Sequence, residues 1–336
     1  EAPMIEYFST DPTTRSLTKL DAEQPGCWIA LFEPTDGELD AMAARFHIDP
    51  DDIRAPLDLE EVSRIETDDD YTMFIVDTPM HSTAGGEKRY TTIPIGIFET
   101  PDHVLTVCSV YRVPIISLLK TKPRGRRDAA RTAARAKGGL QTAAGLHDTG
   151  DIRGFTGDLL LASSEAYFNS LRALNRRRVS LSNTTEKPSR KDLEELYSLD
   201  ASLVYIKTSL ATNDTVFERY RRYVLASHDP EAIELFDDVI IENRQALETT
   251  RIYSEILDST IEHFGLMMDY DLNRTMQLVA TLTLVLCIPT VVGGLFGMNL
   301  GGIPLTDSPY GFAVVTGITA IALLVTLAVL KHLKWF

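Results

Sequence analysis

The sequence has little cysteine, a deficit of base relative to acid, and two long stretches with no charge at all. Its three cysteines, Cys27, Cys108 and Cys287, show no CxxC or Cys/His spacing. That argues against a disulfide frame or a thiolate metal centre, and leaves them as small packing residues. Lysine and arginine number 33 against 48 acids, a formal charge of −15. Phosphate binding needs an excess of base, so nucleic acid is excluded as a partner. A chain this acidic suits the gathering of cations instead. The sequence also lacks a nucleophile triad pattern, a P-loop, an HExxH and a glycine-rich nucleotide loop, so no enzymatic activity is expected. The apolar runs lie at the C-terminal end, the opposite end from a secretory signal.

Leu278–Phe296 is 19 residues without a charge, and Phe312–Leu330 is another 19. At ~1.5 Å per residue each run spans a little under 30 Å, the thickness of a bilayer's hydrocarbon core. Soluble helices rarely go so long without a polar residue, so the pair predicts a transmembrane hairpin. The connecting GMNLGGIPLTDSPYG holds one acid, Asp307, and no base. Arg274 precedes the first run, and Lys331, His332, Lys334 and Trp335 follow the second. Basic residues favour the cytoplasmic side, so both hairpin ends are expected in the cytoplasm and the short loop outside. The large N-terminal part then lies in the cytoplasm, with the inner membrane as its location.

Residues 1–150 predict a small α/β domain followed by a basic linker. Strand-like runs rich in Ile, Val, Thr and Phe cover 28–32, 72–77, 92–99 and 104–109. Helices are expected after Thr35 and Asp49, each of which is a capping residue followed by acids. The acidic ETDDD at 66–70 fits either a metal site or a solvated turn before a strand; the turn is preferred. Residues 121–150 are rich in Ala, Gly and Arg and read as a linker or loosely held helix, with Arg124, Arg126 and Arg127 suited to a solvated face or to anionic lipid. Residues 151–228 predict an antiparallel helical hairpin broken near 183–188.

Residues 229–275 predict an acidic stalk helix. Between Asp229 and Asn273 there are 12 acids against two bases, Arg244 and Arg251. Apolar residues recur at helical spacing, and no proline interrupts the pattern between Pro230 and the membrane. A helix from about Glu231 to Phe296 would be roughly 100 Å long, and it needs copies of itself or other helices to pack against. The acids fit a solvated face. Several such helices side by side would repel one another unless cations lay among them, which makes metal ions candidate ligands.

The first membrane helix, 276–296, carries one stripe of small and mildly polar residues at a 3.5-residue repeat: Met276, Ala280, Thr283, Cys287, Thr290 and Gly294. Asn273 precedes them on the same side. Such a stripe fits either a pore lining or close helix packing. Pro289 removes a backbone hydrogen bond within the same helix, so a kink is expected there.

Gly297-Met298-Asn299, placed directly after the first of two C-terminal membrane helices, resembles the CorA metal ion transporter family. Asn273 and Met276 before the membrane, the long acidic stalk, the terminal KHLKWF and the early WIALFEPTDGELDAMAARF are also similar to it. The likeness covers nearly the whole chain and is weakest over 121–150. It implies a CorA-like homopentameric funnel: an α/β cytoplasmic domain, a long α-helical stalk and a two-helix transmembrane hairpin. Residues 297–311 would form the external loop, 312–330 a second, lipid-facing helix and 331–336 a basic tail. It implies that Asn299, with Gly297 and Met298, binds hydrated Mg²⁺ at the pore mouth, and that Met276 and its neighbours form an apolar gate. It further implies a regulatory metal between subunits, for which Asp238, with Asp237 beside it, fits the stalk position.

The sequence departs from that pattern in two places. HSTAGG after the strand at 72–77 offers no acid to partner the stalk, leaving Asp77 or Glu87 as substitutes. NLGGIP after the motif is similar to the related zinc transporter ZntB, whereas Met298 favours the magnesium members. Zn²⁺ prefers Cys and His, and the stripe offers only Cys287. The expected function is thus a Mg²⁺ channel or transporter gated by cytoplasmic Mg²⁺, with Zn²⁺ or Co²⁺ as other cargo. A proton-coupled Zn²⁺ transporter and a non-conducting membrane-tethered scaffold are the rivals. The expected partners are further copies of the chain, lipid and divalent cations.

Overall fold

The computed structural model describes residues 5–82, 89–111, 113–115, 119, 146–184, 189–226, 229–298, 304–305 and 309–332. They form two compact units. One holds 1–185 with 191–261, and the other holds 186–190 with 262–336.

The first unit is built on a seven-stranded mixed sheet. Its strands are β1 (Ile5–Thr10), β2 (Leu17–Leu20), β3 (Trp28–Phe32), β4 (Arg64–Thr67), β5 (Thr72–Ser82), β6 (Arg89–Glu99) and β7 (Val104–Cys108), in the order β2-β1-β3-β7-β6-β5-β4. Only β3 and β7 pair in parallel, with Trp28 opposite Val104 and Phe32 opposite Cys108. That pair is central, and every residue of both strands is buried. Such continuous apolar runs are what a strand covered on both faces requires.

Helix α1 (Asp36–Phe46) covers one face. Its capping box is complete: Thr35 accepts from the Glu38 backbone and the Glu38 side chain reaches back to Thr35. The short α2 (Pro50–Arg54) starts on Asp49, whose carboxylate accepts from the Asp51 N–H. Leu39, Met42, Ala43 and Ile53 pack there with Ile29, Leu31, Met73 and Leu105. The opposite face is covered by α3 (Ile152–Thr184), α4 (Arg190–Ala226) and the start of α5 (Pro230–Phe296). Trp28 anchors that layer between Phe8 and Phe155, with ring centroids 5.0 and 5.4 Å away, and its indole N–H donates to Thr106 Oγ1 at 3.0 Å.

Three further contacts seat the first turns of α5. Phe236 packs edge-on against Tyr220 of α4, and Asp237 pairs with Arg221. Leu235 lies against Gly157 of α3, where a Cβ would come within 2.3 Å of a leucine methyl. The missing side chain at Gly157 thus leaves room for Leu235, which a larger residue would have to displace.

Helix α5 is continuous for 67 residues, with Pro289 inside it. In the second unit it is followed by α6 (Gly311–His332). Both helices are long and apolar enough to cross a membrane, and only 6% of the most apolar window of each is buried.

Candidate functional site

Along the membrane part of α5 the less exposed positions are Gln277, Thr281, Val285, Ile288 and Val292. They recur at three and four residues and define one face. On α6 the matching set is Gly311, Val315, Thr319, Ala322, Leu323, Thr326 and Leu330. The stripe read from the sequence lies elsewhere. Asn273, Met276, Ala280, Thr283, Cys287, Thr290 and Gly294 are all exposed. With 3.6 residues per turn, that stripe is centred roughly 130° round the helix from the shielded face.

The stripe's chemistry follows from its local bonding. Thr283 Oγ1 donates to the Val279 carbonyl at 2.9 Å, and Thr290 Oγ1 to that of Leu286 at 2.8 Å. Each hydroxyl spends its proton inside the helix and presents lone pairs outward. Those are acceptors, suited to the water of a hydrated cation. A Cβ added at Gly294 would meet nothing within 4 Å, so that position is open. Cys287 is an exposed free thiol, whereas Cys27 and Cys108 are buried. Met276 is 64% exposed at the end where the apolar stretch begins.

At the far end the Gly297 N–H closes the helix on the Gly293 carbonyl at 2.9 Å. Gly297 and Met298 are exposed. Asn299 lies outside the described residues, as do Asp307, Glu87, Arg124, Arg126, Arg127 and the tail from Leu333 onward.

The expected regulatory acids divide in their surroundings. Asp237 is paired with Arg221. Asp238, the next residue, is partly buried. Asp77 belongs to a different network, with α3 and α4. Its carbonyl accepts from Tyr167 Oη at 3.0 Å and from Asn213 Nδ2 at 2.9 Å, and its N–H donates to Asn213 Oδ1 at 2.9 Å. Burial raises its carboxyl above the usual range, against a hydrogen bond from Ser209. Among the described residues no three His, Cys, Asp or Glu side chains come together to hold a metal. Of the acids at 66–70, Glu66 lies on β4 and pairs with Arg64, while Asp68, Asp69 and Asp70 form a tight turn with the Asp68 N–H on the Tyr71 carbonyl at 2.9 Å.

The sequence reading missed a buried carboxyl. Glu99, the last residue of β6, is 8% exposed and accepts hydrogen bonds from Tyr220 Oη at 2.7 and 3.0 Å. The two residues are 121 positions apart, and the only sequence signal was an acid directly after the apolar run 93–98.

Among the described residues, a sheet domain whose last packed helix runs on into one candidate span, with a second candidate span after it, fits a membrane protein. The chain belongs to the CorA-like Mg²⁺ transporter family, a family of transport proteins, whose profile matches residues 23–332. The cobalt/magnesium transport protein CorA of Methanocaldococcus jannaschii is 23% identical over 309 residues, which is 92% of this chain and 90% of that protein. The complete structure of the CorA magnesium transporter from the same organism superposes with a TM-score of 0.76 over the full length of both chains, at 21% identity. The ZntB cytoplasmic domain from Vibrio parahaemolyticus shares the fold more distantly, with a TM-score of 0.55 and 12% identity over 79% of this chain and 98% of that one.

Proposed function

We propose that the protein conducts Mg²⁺, with Co²⁺ as a second cargo, through a pore formed by several copies of α5. The observation that carries this reading is the stripe from Asn273 to Gly294. It is exposed in a single chain, turned away from the shielded face, and furnished with outward lone pairs. In a ring of five copies, as the family resemblance implies, the stripe faces the axis. Mg²⁺ gives up water reluctantly, so neutral acceptors that bind its hydration shell suit it better than a charged cage. Gly297, Met298 and Asn299 act as the outer mouth, where Asn299 accepts hydrogen bonds from the ion's water. Met276 forms the apolar constriction at the inner end. The family context supports an inner-membrane location, with both ends of the hairpin in the cytoplasm.

Regulation by cytoplasmic Mg²⁺ would use Asp238, with Asp237 beside it, and acids of a neighbouring copy; Asp237 also pairs with Arg221. A Zn²⁺ transporter is favoured only by NLGGIP, because Cys287 is the one Cys or His that the stripe offers.

The test is Mg²⁺ uptake into liposomes carrying the full chain. Asn299→Ala is expected to lower uptake at least about tenfold, the loss of roughly 1.4 kcal/mol or more of ion stabilisation at the mouth. Undiminished uptake in that variant would sink the mouth assignment. Excess Zn²⁺ that is itself transported in preference to Mg²⁺ would reassign the cargo.

A further inference from the structure

Glu99 lies within the layer where the sheet meets α3, α4 and the first turns of α5. Burial pushes its carboxyl up to about 7, against the hydrogen bond from Tyr220, the nearby Thr156 hydroxyl and the Arg153 guanidinium; Asp151 raises it further. Thr156 is fully buried and leans on the carboxyl without meeting the geometry of a full hydrogen bond. The flanking strands present uncharged residues, Thr72 of β5 and Val104 of β7. From α5, Phe236 packs on the Tyr220 ring at 4.6 Å. Its neighbour Asp237 is held by Arg221. Tyr223 stacks on Tyr220 from within α4.

Both residues that touch the carboxyl from the helices also adjoin the seat of α5. Tyr220 bears Phe236 directly, and Arg221 beside it binds Asp237. Thr156 precedes Gly157, on which Leu235 rests. We propose that Glu99 is a proton-binding site whose charge state, passed through Tyr220 and Thr156, sets how firmly the first turns of α5 are held on the domain. When Glu99 is ionised, its carboxylate draws in the Tyr220 hydroxyl and the Arg153 charge. When it takes a proton from water, it becomes a donor itself. The Tyr220 bond then weakens, and the lone pairs of Thr156 become the nearest acceptor. No other reactant is needed. Because α5 continues into the candidate pore, transport would respond to pH on the side of the sheet domain; this last consequence rests on the proposed function.

The experiment uses the full-length protein in lipid nanodiscs. Infrared titration of the carboxyl stretch, assigned by its loss in Glu99→Gln, is expected to show a midpoint near neutrality. The group is then about nine-tenths protonated one pH unit below the midpoint and about one-tenth protonated one unit above. Hydrogen exchange over 231–239, corrected for intrinsic rate, should change across the same midpoint and be flat in Glu99→Gln. Tyr220→Phe keeps the ring contacts and removes a donor that favours the charged form, so it should move the midpoint upward. Thr156→Val should do the same more weakly. A carboxyl that titrates in the ordinary range below about pH 5, or exchange over 231–239 that follows pH equally in Glu99→Gln, would overturn the proposal. Should Glu99→Gln fail to fold, an unmoved midpoint in Tyr220→Phe overturns it instead. Mg²⁺ uptake is expected to change at least about twofold across the midpoint and to lose that dependence in Glu99→Gln. If the wild-type chain transports no Mg²⁺, the proposed function falls, and the infrared and exchange results still decide the proton site.

Discussion

The two compact units solve the burial problem in opposite ways. In the sheet unit the large side chains are inside: Phe8, Trp28, Phe74, Phe155 and Tyr220 have no exposed surface. In the other unit Leu278, Leu282, Leu286, Ile321, Leu324 and Phe312 are each more than half exposed. An apolar surface that broad is not stable in water, and lipid or further helices must cover it. The same amino-acid types therefore have opposite requirements in the two units. In the first a leucine stabilises by leaving water for protein. In the second it does so by leaving water for lipid, which places few demands on shape. On the proposed function, specificity in the second unit rests on small and polar residues that break the apolar surface, among them the stripe from Asn273 to Gly294.

Substitutions can break this comparison at either end. The largest effect is expected for Trp28→Ala. It removes an indole packed between two phenyl rings and leaves the Thr106 hydroxyl without its partner. The cost is about 3–5 kcal/mol, read as lowered opening free energy of the β3 and β7 amides in hydrogen exchange. The membrane unit should keep its protection. Leu282→Arg tests the other end. Leu282 is 55% exposed, so arginine there clashes with nothing. In water it would be harmless, but at mid-bilayer depth it costs about 2.5–3.5 kcal/mol, read as reduced membrane insertion.

A smaller and pH-dependent effect comes from Glu99. Its folded-state carboxyl titrates near 7, above the ordinary range. The folded state therefore holds that proton more tightly than the unfolded chain does. The resulting stabilisation is complete below about pH 4.5 and is lost as the pH rises through about 7, by roughly 3 kcal/mol at most. The sheet unit should weaken over that window in the wild type, and Glu99→Gln should remove the dependence. The stripe carries no Asp or Glu.

The same contrast explains what the sequence revealed. The four central strands were legible because each holds a run rich in Ile, Val, Leu, Phe and Thr. The caps at Thr35 and Asp49 were legible because a cap is a local interaction. Strands β1, β2 and β4 were not read. β1 alternates buried and half-buried positions over only six residues, and β2 and β4 are four-residue edge strands whose pairing comes from partners elsewhere. The spans were readable because lipid enforces one rule along a whole helix. The Glu99–Tyr220 bond and the clasp of Asn213 on Asp77 span 121 and 136 residues, so they exist only once the layers have docked. The surroundings of Asp77 show the same limit: nothing local in the sequence announces that Tyr167 of α3 and Asn213 of α4 bond to its carbonyl.

The central claim is that the stripe on α5 faces a water-filled path, and Cys287 provides a native probe of it. It is the exposed thiol on that face, while Cys27 and Cys108 are buried. A charged, membrane-impermeant methanethiosulfonate reagent, applied to the full chain in liposomes during Mg²⁺ uptake, should modify Cys287 and block most of the flux. Cys287→Ser should transport Mg²⁺ and resist the block. If Cys287 ignores the charged reagent yet reacts with a lipid-soluble maleimide, the stripe faces lipid and the pore assignment is wrong.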